Sequence, residues 1–393
     1  MRQLYLAATG MNRGKTTVSM GLLAALFGRG LATGFIKPVG QRYAIVEGTP
    51  ADEDAILMKS TFELPDRLEW LSPVHIPRGF TKAYLAGEVV EDLPSRIRAA
   101  YDRVAEGRDV LLVEGTGHAG VGSVVDLSNA QVAAMLGCRA IIVSEAGVGR
   151  PIDEIVLNHA LFARQGVEVV GAVVNKVDLD GHPSLTTVLE RGLGRHGIEL
   201  LGVLPYRPLL SNPTLAMLIE QIRGELLHPG PELGRVIEHV AIGAMQAEHV
   251  LERIGPGSLL IVPGDRADVV RATVAAVRDG TLRQHTRGRD PALRGAAMAG
   301  IVLTGGYLPS PDVVTAVRRA DIFLFAVRED TYAAASEVHD LLVKTHPDDA
   351  EKIELIKALV AEHLDIERIL GRFAEPLRRR PRRVSAGASR PGG

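Results

Sequence analysis

Residues 4–17 read Leu4-Tyr5-Leu6-Ala7-Ala8-Thr9-Gly10-Met11-Asn12-Arg13-Gly14-Lys15-Thr16-Thr17, and their order decides the fold. Leu4 to Ala8 is a short apolar run of strand length. An apolar helical pattern through Leu23 and Leu26 follows Thr17. A strand, a glycine-bearing loop ending in Gly-Lys-Thr, and a helix make the arrangement that holds nucleoside triphosphates. Backbone N–H groups and the helix N-terminus face the phosphates. Lys15 would neutralise charge on the β- and γ-phosphates, and Thr16 would offer its hydroxyl to Mg²⁺. Thr9, Gly10, Asn12, Arg13, Gly14, Lys15, Thr16 and Thr17 are therefore candidate nucleotide contacts. Thr9 stands where the regular pattern has its first glycine.

The chain of 393 residues is long enough for two or three domains. Its 46% apolar content and 42 glycines fit an α/β protein with many tight turns, and 4% aromatic content makes the cores aliphatic. A single cysteine, Cys138, excludes a disulfide framework and a cysteine-rich metal site. No apolar run approaches the ~20 residues of a membrane span. The loop at 9–17 leaves no room for a secretory signal ahead of it, so a cytoplasmic protein without a membrane span is expected. The formal net charge of -2 conceals an asymmetry, because residues 372–393 hold seven arginines and one glutamate. Arg378-Arg379-Arg380-Pro381-Arg382-Arg383 carries no apolar period, and 372–393 is expected to be a disordered tail. No aromatic residue follows Phe373, which weakens any nucleic-acid role for the tail.

Outward from the opening loop, strand and helix patterns alternate. Strands are expected at 4–8, 33–37, 109–113, 139–144, 168–174 and 199–204. Helices are expected at 15–29, 51–60, 95–106, 128–136, 152–164 and 183–195. Such alternation predicts a doubly wound, mostly parallel sheet over residues 1–208. Pro205, Pro208 and Pro213 punctuate its end. Strands at 259–263, 300–304 and 322–327 predict a second, smaller α/β domain over 211–345. Residues 346–371 read as one amphipathic helix, with Ile353, Ile356, Leu359, Val360, Leu364, Ile366, Ile369 and Leu370 at helical spacing. It is expected to pack on the body or on a second subunit.

Several polar residues fall at strand ends, where a parallel sheet forms its ligand crevice. Lys37 follows Gly34-Phe35-Ile36 and precedes Pro38. Glu114 ends the apolar run from Val110 and precedes Gly115-Thr116-Gly117, as a Mg²⁺ ligand beside the phosphate loop would. Asp54 begins a helix, where an acid serves either a metal or the helix dipole. Asn175, in Asn175-Lys176-Val177-Asp178, can meet a purine edge or simply make a turn. In the second domain Asp265, Arg266, Thr304, Gly305 and Gly306 stand at strand ends and suggest a small anionic metabolite or a subunit contact.

Taken in order, Thr9 to Thr17, Phe35-Ile36-Lys37-Pro38-Val39, Asp54-Ala55, Val113-Glu114-Gly115, Asn175-Lys176-Val177 and Gly202-Val203-Leu204-Pro205-Tyr206 resemble dethiobiotin synthetase. The resemblance implies Lys15 and Lys37 at the phosphates and the reacting carboxyl group. It implies Thr16, Asp54 and Glu114 at Mg²⁺, and Asn175 with Pro205 near adenine. It further implies phosphoryl transfer from ATP to a carboxylate or carbamate, with Lys15, Lys37 and Glu114 as the catalytic set. One departure concerns the substrate side, where Gly40-Gln41-Arg42-Tyr43 follows Lys37-Pro38-Val39.

Ile242-Gly243-Ala244-Met245, Pro263-Gly264-Asp265-Arg266-Ala267-Asp268, Gly300 to Gly306 and Asp330-Thr331-Tyr332 resemble the DRTGG domain. This domain order resembles the N-terminal, regulatory portion of long phosphate acetyltransferases, and no catalytic acetyltransferase domain is expected in the ~50 residues that remain. Two functions follow from the resemblances. One is an ATP- and Mg²⁺-binding regulator, homo-oligomeric or bound to a protein partner. The other is an ATP-dependent ligase. A relict nucleotide site is the third reading, against which Lys15, Lys37, Asp54 and Glu114 stand.

Overall fold

The computed structural model describes residues 2–89, 91–282, 298–341 and 343–374. They divide into two compact units. The first takes the described residues up to Asn175, Thr186–Val203 and those from Lys357 onward, and the second takes Lys176–Leu185 and Leu204–Ile356.

The first ten strands are β1 (Arg2–Ala8), β2 (Thr33–Ile36), β3 (Val39–Gly40), β4 (Tyr43–Val46), β5 (Thr49–Asp52), β6 (Val74–His75), β7 (Val110–Glu114), β8 (Arg139–Glu145), β9 (Val169–Val177) and β10 (Leu200–Pro205). Six of them form one sheet in the order β10-β9-β8-β1-β7-β2. β1 runs parallel to β7 and β8, β2 to β7, and β9 to β8. Every residue of β2 and β7 is buried, as in a sheet covered on both faces. This is the α/β class that the alternation predicts. β1 has β7 and β2 on one side and β8 on the other, so the strand order reverses beside it. A crevice at such a reversal opens beyond the strand's C-terminal end, which is where the 9–17 loop sits.

Helix α1 (Lys15–Phe27) buries Val18, Met20, Leu22, Leu23 and Leu26, which cover a broad face rather than one narrow stripe. Gly21 is required there, because a Cβ would lie 2.2 Å from Val360 Cβ. Helix α2 (Glu53–Phe62) starts two residues after the expected 51, because Thr49–Asp52 is used by β5. Its N-cap is Asp52, whose carboxylate accepts from Asp54 N at 3.0 Å.

The second unit holds β11 (Glu225–His228), β12 (His239–Ile242), β13 (Ser258–Pro263), β14 (Gly300–Thr304) and β15 (Phe323–Ala326) in the order β11-β15-β14-β13-β12. Only β11 pairs antiparallel among the registered neighbours of this sheet. Alternate residues face opposite sides of a strand. Leu260, Val262, Ile301, Leu303 and Leu324 accordingly join one core cluster, with Val269, Val270, Val313 and Val317. Leu259, Ile261, Val302, Phe323 and Phe325 join the other, with Leu215, Leu218, Ala334 and Val338.

The single helix expected over 346–371 is two helices, Ala350–His363 and Ile366–Ala374. Asp365 divides them. Its carboxylate accepts from Arg368 N at 2.9 Å and its carbonyl from Ile369 N at 3.0 Å, so it caps the second helix. Arg368 and Arg372 of that helix both pair with Glu199, and Arg29 Nε lies 2.8 Å from Glu367 Oε1. Arg372–Ala374, assigned to the tail on sequence, complete this helix, and the rest of the expected tail lies outside the described residues.

Candidate functional site

The loop after β1 is built for close backbone approach. Asn12 and Gly14 both adopt positive φ, 57° and 95°, and Gly14 immediately precedes α1. A Cβ on Gly14 would fall 1.9 Å from Asn175 Nδ2. Asn175 donates from that nitrogen to Arg13 O at 3.3 Å, so its amide supports the loop backbone. Thr9 is buried, and its hydroxyl lies 3.1 Å from Ser144 Oγ on β8. A glycine there would forgo this tie, which accounts for the departure from the regular motif. Arg13 pairs with Glu145 at the end of β8.

Lys15 opens α1 and is buried, yet it makes no ion pair among the described residues. Burial, followed by repulsion from Lys37, lowers its pKa from the ordinary lysine range to about 8. Thr16 Oγ1 lies 3.1 Å from Asp54 Oδ1 and 3.3 Å from Glu114 Oε1. Three elements thus converge: α1 brings the hydroxyl, α2 brings Asp54, and β7 delivers Glu114 from its C-terminal end.

Lys37, one residue past β2, is buried at the centre of three carboxylates. Its ammonium binds Asp54, approaches Glu114 Oε1 at 3.1 Å and Asp52 Oδ1 at 3.5 Å. Burial opposes its charge, but Asp54, Glu114 and Asp52 together hold its pKa well above the usual value. Burial likewise opposes charge on Asp54, yet Lys37 holds that carboxyl below the ordinary range. Burial prevails at Glu114 and Asp52, whose pKa values are raised. One ammonium cannot neutralise three acids, of which Asp52 and Glu114 are buried. Glu114 Oε2 is left buried with no hydrogen-bond partner. Such an orphan costs free energy unless a ligand completes it.

Asp52 was not singled out by sequence reasoning, although Asp52-Glu53-Asp54 announces the acids. A further unanticipated residue is Asn129. Its Oδ1 accepts from Tyr5 Oη at 2.8 Å and Thr116 N at 3.0 Å, while its Nδ2 donates to Thr116 O and His118 O at 2.7 Å each. It fixes the turn after Glu114. No local signal marks that role, since its partners lie up to 124 residues away. Pro205 ends β10, and Tyr206 N donates to Val177 O at 2.9 Å.

In the second unit the two predicted loops do meet, because Gly264 N donates to Thr304 O at 3.0 Å. Gly305 and Gly306 take φ of 82° and 71°. Their N–H groups are used by Glu329 O at 2.7 Å and Val327 O at 3.1 Å. Thr304 is buried, with its hydroxyl 2.8 Å from that of Thr331. The Arg266 guanidinium is engaged by both Asp268 oxygens at 2.9 Å and by Met245 O at 2.9 Å. Asp265 adjoins it at the start of the same turn. The cation expected to meet an anion there is therefore already neutralised by the acid two residues on.

Among the described residues no group of three or more His, Cys, Asp or Glu side chains is arranged to hold a metal ion by itself. A nucleotide-borne Mg²⁺ needs only one or two protein oxygens, because phosphate and water supply the rest. No helix among the described residues is long and apolar enough to cross a membrane. The AAA_26 family, described as an AAA domain, matches residues 2–214, and the DRTGG domain matches residues 217–341. The phosphate acetyltransferase of Nitrosomonas europaea is 27% identical over 97% of this chain and 53% of its own length. That of Pseudomonas putida is 28% identical over 93% of this chain and 51% of its own. The chain thus spans about half the length of the curated relatives it matches. In the solved MinC:MinD cell division protein complex of Aquifex aeolicus, a chain aligns with 53% of this one over 84% of its own length, at 14% identity and a TM-score of 0.35.

Proposed function

This chain belongs to the AAA_26 family and carries a DRTGG domain, and we propose that it is a nucleotide-responsive regulator or partner subunit that binds ATP with Mg²⁺. The observation that carries this reading is a pair of orphans of opposite sign at one loop. Lys15 is a buried ammonium without an ion pair, and Glu114 Oε2 is a buried carboxylate oxygen without a partner. A polyphosphate answers the first and a divalent cation the second, so the complex satisfies both. Thr16, Asp54 and Glu114 are the residues that would hold Mg²⁺, which would offset the charge of the phosphate oxygens. Gly14 and the N–H groups that begin α1 would cradle the phosphates. The purine end is assigned to Asn175 and Pro205 by resemblance. The second unit is the half that would bind an effector.

The test is calorimetry of Mg²⁺-ATP binding to wild type and Lys15→Ala. Loss of the charge-assisted contact should weaken binding by about 1.5–3 kcal/mol. Equal affinities would overturn the assignment.

A second reading, an ATP-dependent ligase acting on a carboxylate or carbamate, is favoured by Lys37. Its ammonium lies beside Glu114 at the end of the crevice rather than in solvent. Under that reading Lys37→Ala abolishes an ATP-dependent carboxylate or carbamate phosphorylation while ATP still binds. A screen of carboxylic acids and amines with bicarbonate that yields only ADP, with no acyl product by mass spectrometry, favours the regulator.

A further inference from the structure

The turns that close the second unit's sheet carry features that its core does not need. Tyr307 follows Gly305-Gly306 and is 64% exposed, and Tyr332, one residue into helix Thr331–His339, is 84% exposed. Both rings thus display most of their surface to solvent and contribute little to the core. The two turns are tied together, through Gly305 N to Glu329 O and the Thr304 and Thr331 hydroxyls. Gly306 backs onto Arg328, since a Cβ there would lie 4.0 Å from Arg328 Cα. Arg328 is exposed and makes no ion pair among the described residues, unlike Arg266. Glu329 Oε2 is buried without a hydrogen-bond partner. Gly264 must also stay bare, because a Cβ would collide with Tyr307 O at 1.7 Å.

We infer that this edge is a second nucleotide site, with Tyr307 and Tyr332 as stacking surface for a base and Arg328 as the cation for its phosphate. Aromatic faces accept any base, and a guanidinium holds phosphate oxygens in bidentate fashion. Glu329 gives the turn an acceptor that lacks a donor, which an exocyclic base amine could supply. Asp265 and Arg266 then serve the turn's own geometry. The inference rests on reading the second unit as the effector-binding half of the protein.

AMP and ATP separate the two sites, because AMP lacks the β- and γ-phosphates that the first loop cradles. Equilibrium dialysis of the full chain should show two equivalents of ATP and one of AMP. Lys15→Ala, and Lys15→Gln as a second variant, should retain one equivalent of each. Tyr332→Ala, Tyr307→Ala or Arg328→Ala should weaken AMP binding at least about tenfold, the scale of one base–aromatic stack, while Tyr332→Phe preserves it. All three side chains are exposed enough that truncation does not threaten the core. A wild type that binds one ATP and no AMP overturns the second site and leaves the first intact. AMP binding that survives all three truncations places any such site elsewhere and also overturns the assignment. If the truncations change only sedimentation, the rings form a contact between subunits and the proposal fails.

Discussion

At the scale of single residues, the site is an exercise in incomplete neutralisation. Lys15 titrates near pH 8 because burial and Lys37 both disfavour its charge. A bound polyphosphate favours the charged form and raises that pKa, so binding takes up a proton once the solution passes about pH 8. ATP affinity should therefore be full below that pH and fall as pH rises through it. Calorimetry at about pH 8.5 in buffers of different ionisation heat should detect the uptake, and Lys15→Ala should abolish it. Affinity that stays flat between about pH 7 and about pH 9 would show that Lys15 does not meet phosphate. Glu114→Gln tests the opposite orphan. It keeps shape and removes charge, so Mg²⁺ should enhance ATP binding about tenfold less than in wild type, the effect of one lost charge-assisted contact. An unchanged Mg²⁺ dependence makes Glu114 a structural acid. The residue types were legible in the sequence, because Gly-Lys-Thr and a strand-terminal Glu each carry their chemistry locally. Asp52 and Asn129 were not, since they reach Lys37 and the 115–118 turn only through chain that folds back on itself.

At the scale of elements, long apolar runs declared themselves and short or half-exposed ones did not. β7 is buried along all five residues and β8 along its first six, and their strand character was plain. β3 and β6 are two residues each, and β4 is exposed along most of its length, so neither pairing leaves a hydrophobic period to read. Asp365 was hidden for a different reason. The apolar spacing continues across it, and only its competing cap hydrogen bonds break the helix. The packing of α1 yields a prediction at this scale. Alanine at Gly21 would gain up to about 1 kcal/mol of helix propensity. It would also force a methyl into Val360, whose Cβ is 2.2 Å from the added carbon and cannot swing away. Overpacking of this kind costs about 1–3 kcal/mol, so the net change should be destabilising. Denaturant melts should show Gly21→Ala below wild type, whereas in a Val360→Gly background, which lacks the Cβ that the methyl meets, Gly21→Ala should no longer destabilise. A stabilised single variant would mean that Val360 does not press on α1.

At the scale of the whole molecule, the two units each close their own core, one around a six-stranded and one around a five-stranded sheet. Domain order was legible because each unit announces its strands by apolar runs ending in polar turns. The pairing inside those turns was less so, since sequence offers Arg266 as a cation for a ligand and Asp268 engages its guanidinium. A regulator must do more than hold two ligands, because its sites must share free energy. If AMP in the second unit changes ATP affinity in the first, ATP must change AMP affinity by the same factor, and couplings of about 1–3 kcal/mol are typical. The measurement is an ATP titration of wild type without AMP and with AMP at saturation, then the reverse titration. Both should move about 5- to 150-fold in the same direction, and Arg328→Ala should abolish both shifts. Equal ATP affinities with and without AMP, in a chain that demonstrably binds both, would leave two independent sites. The regulator reading would then give way to the ligase, in which the second unit need not report on the first.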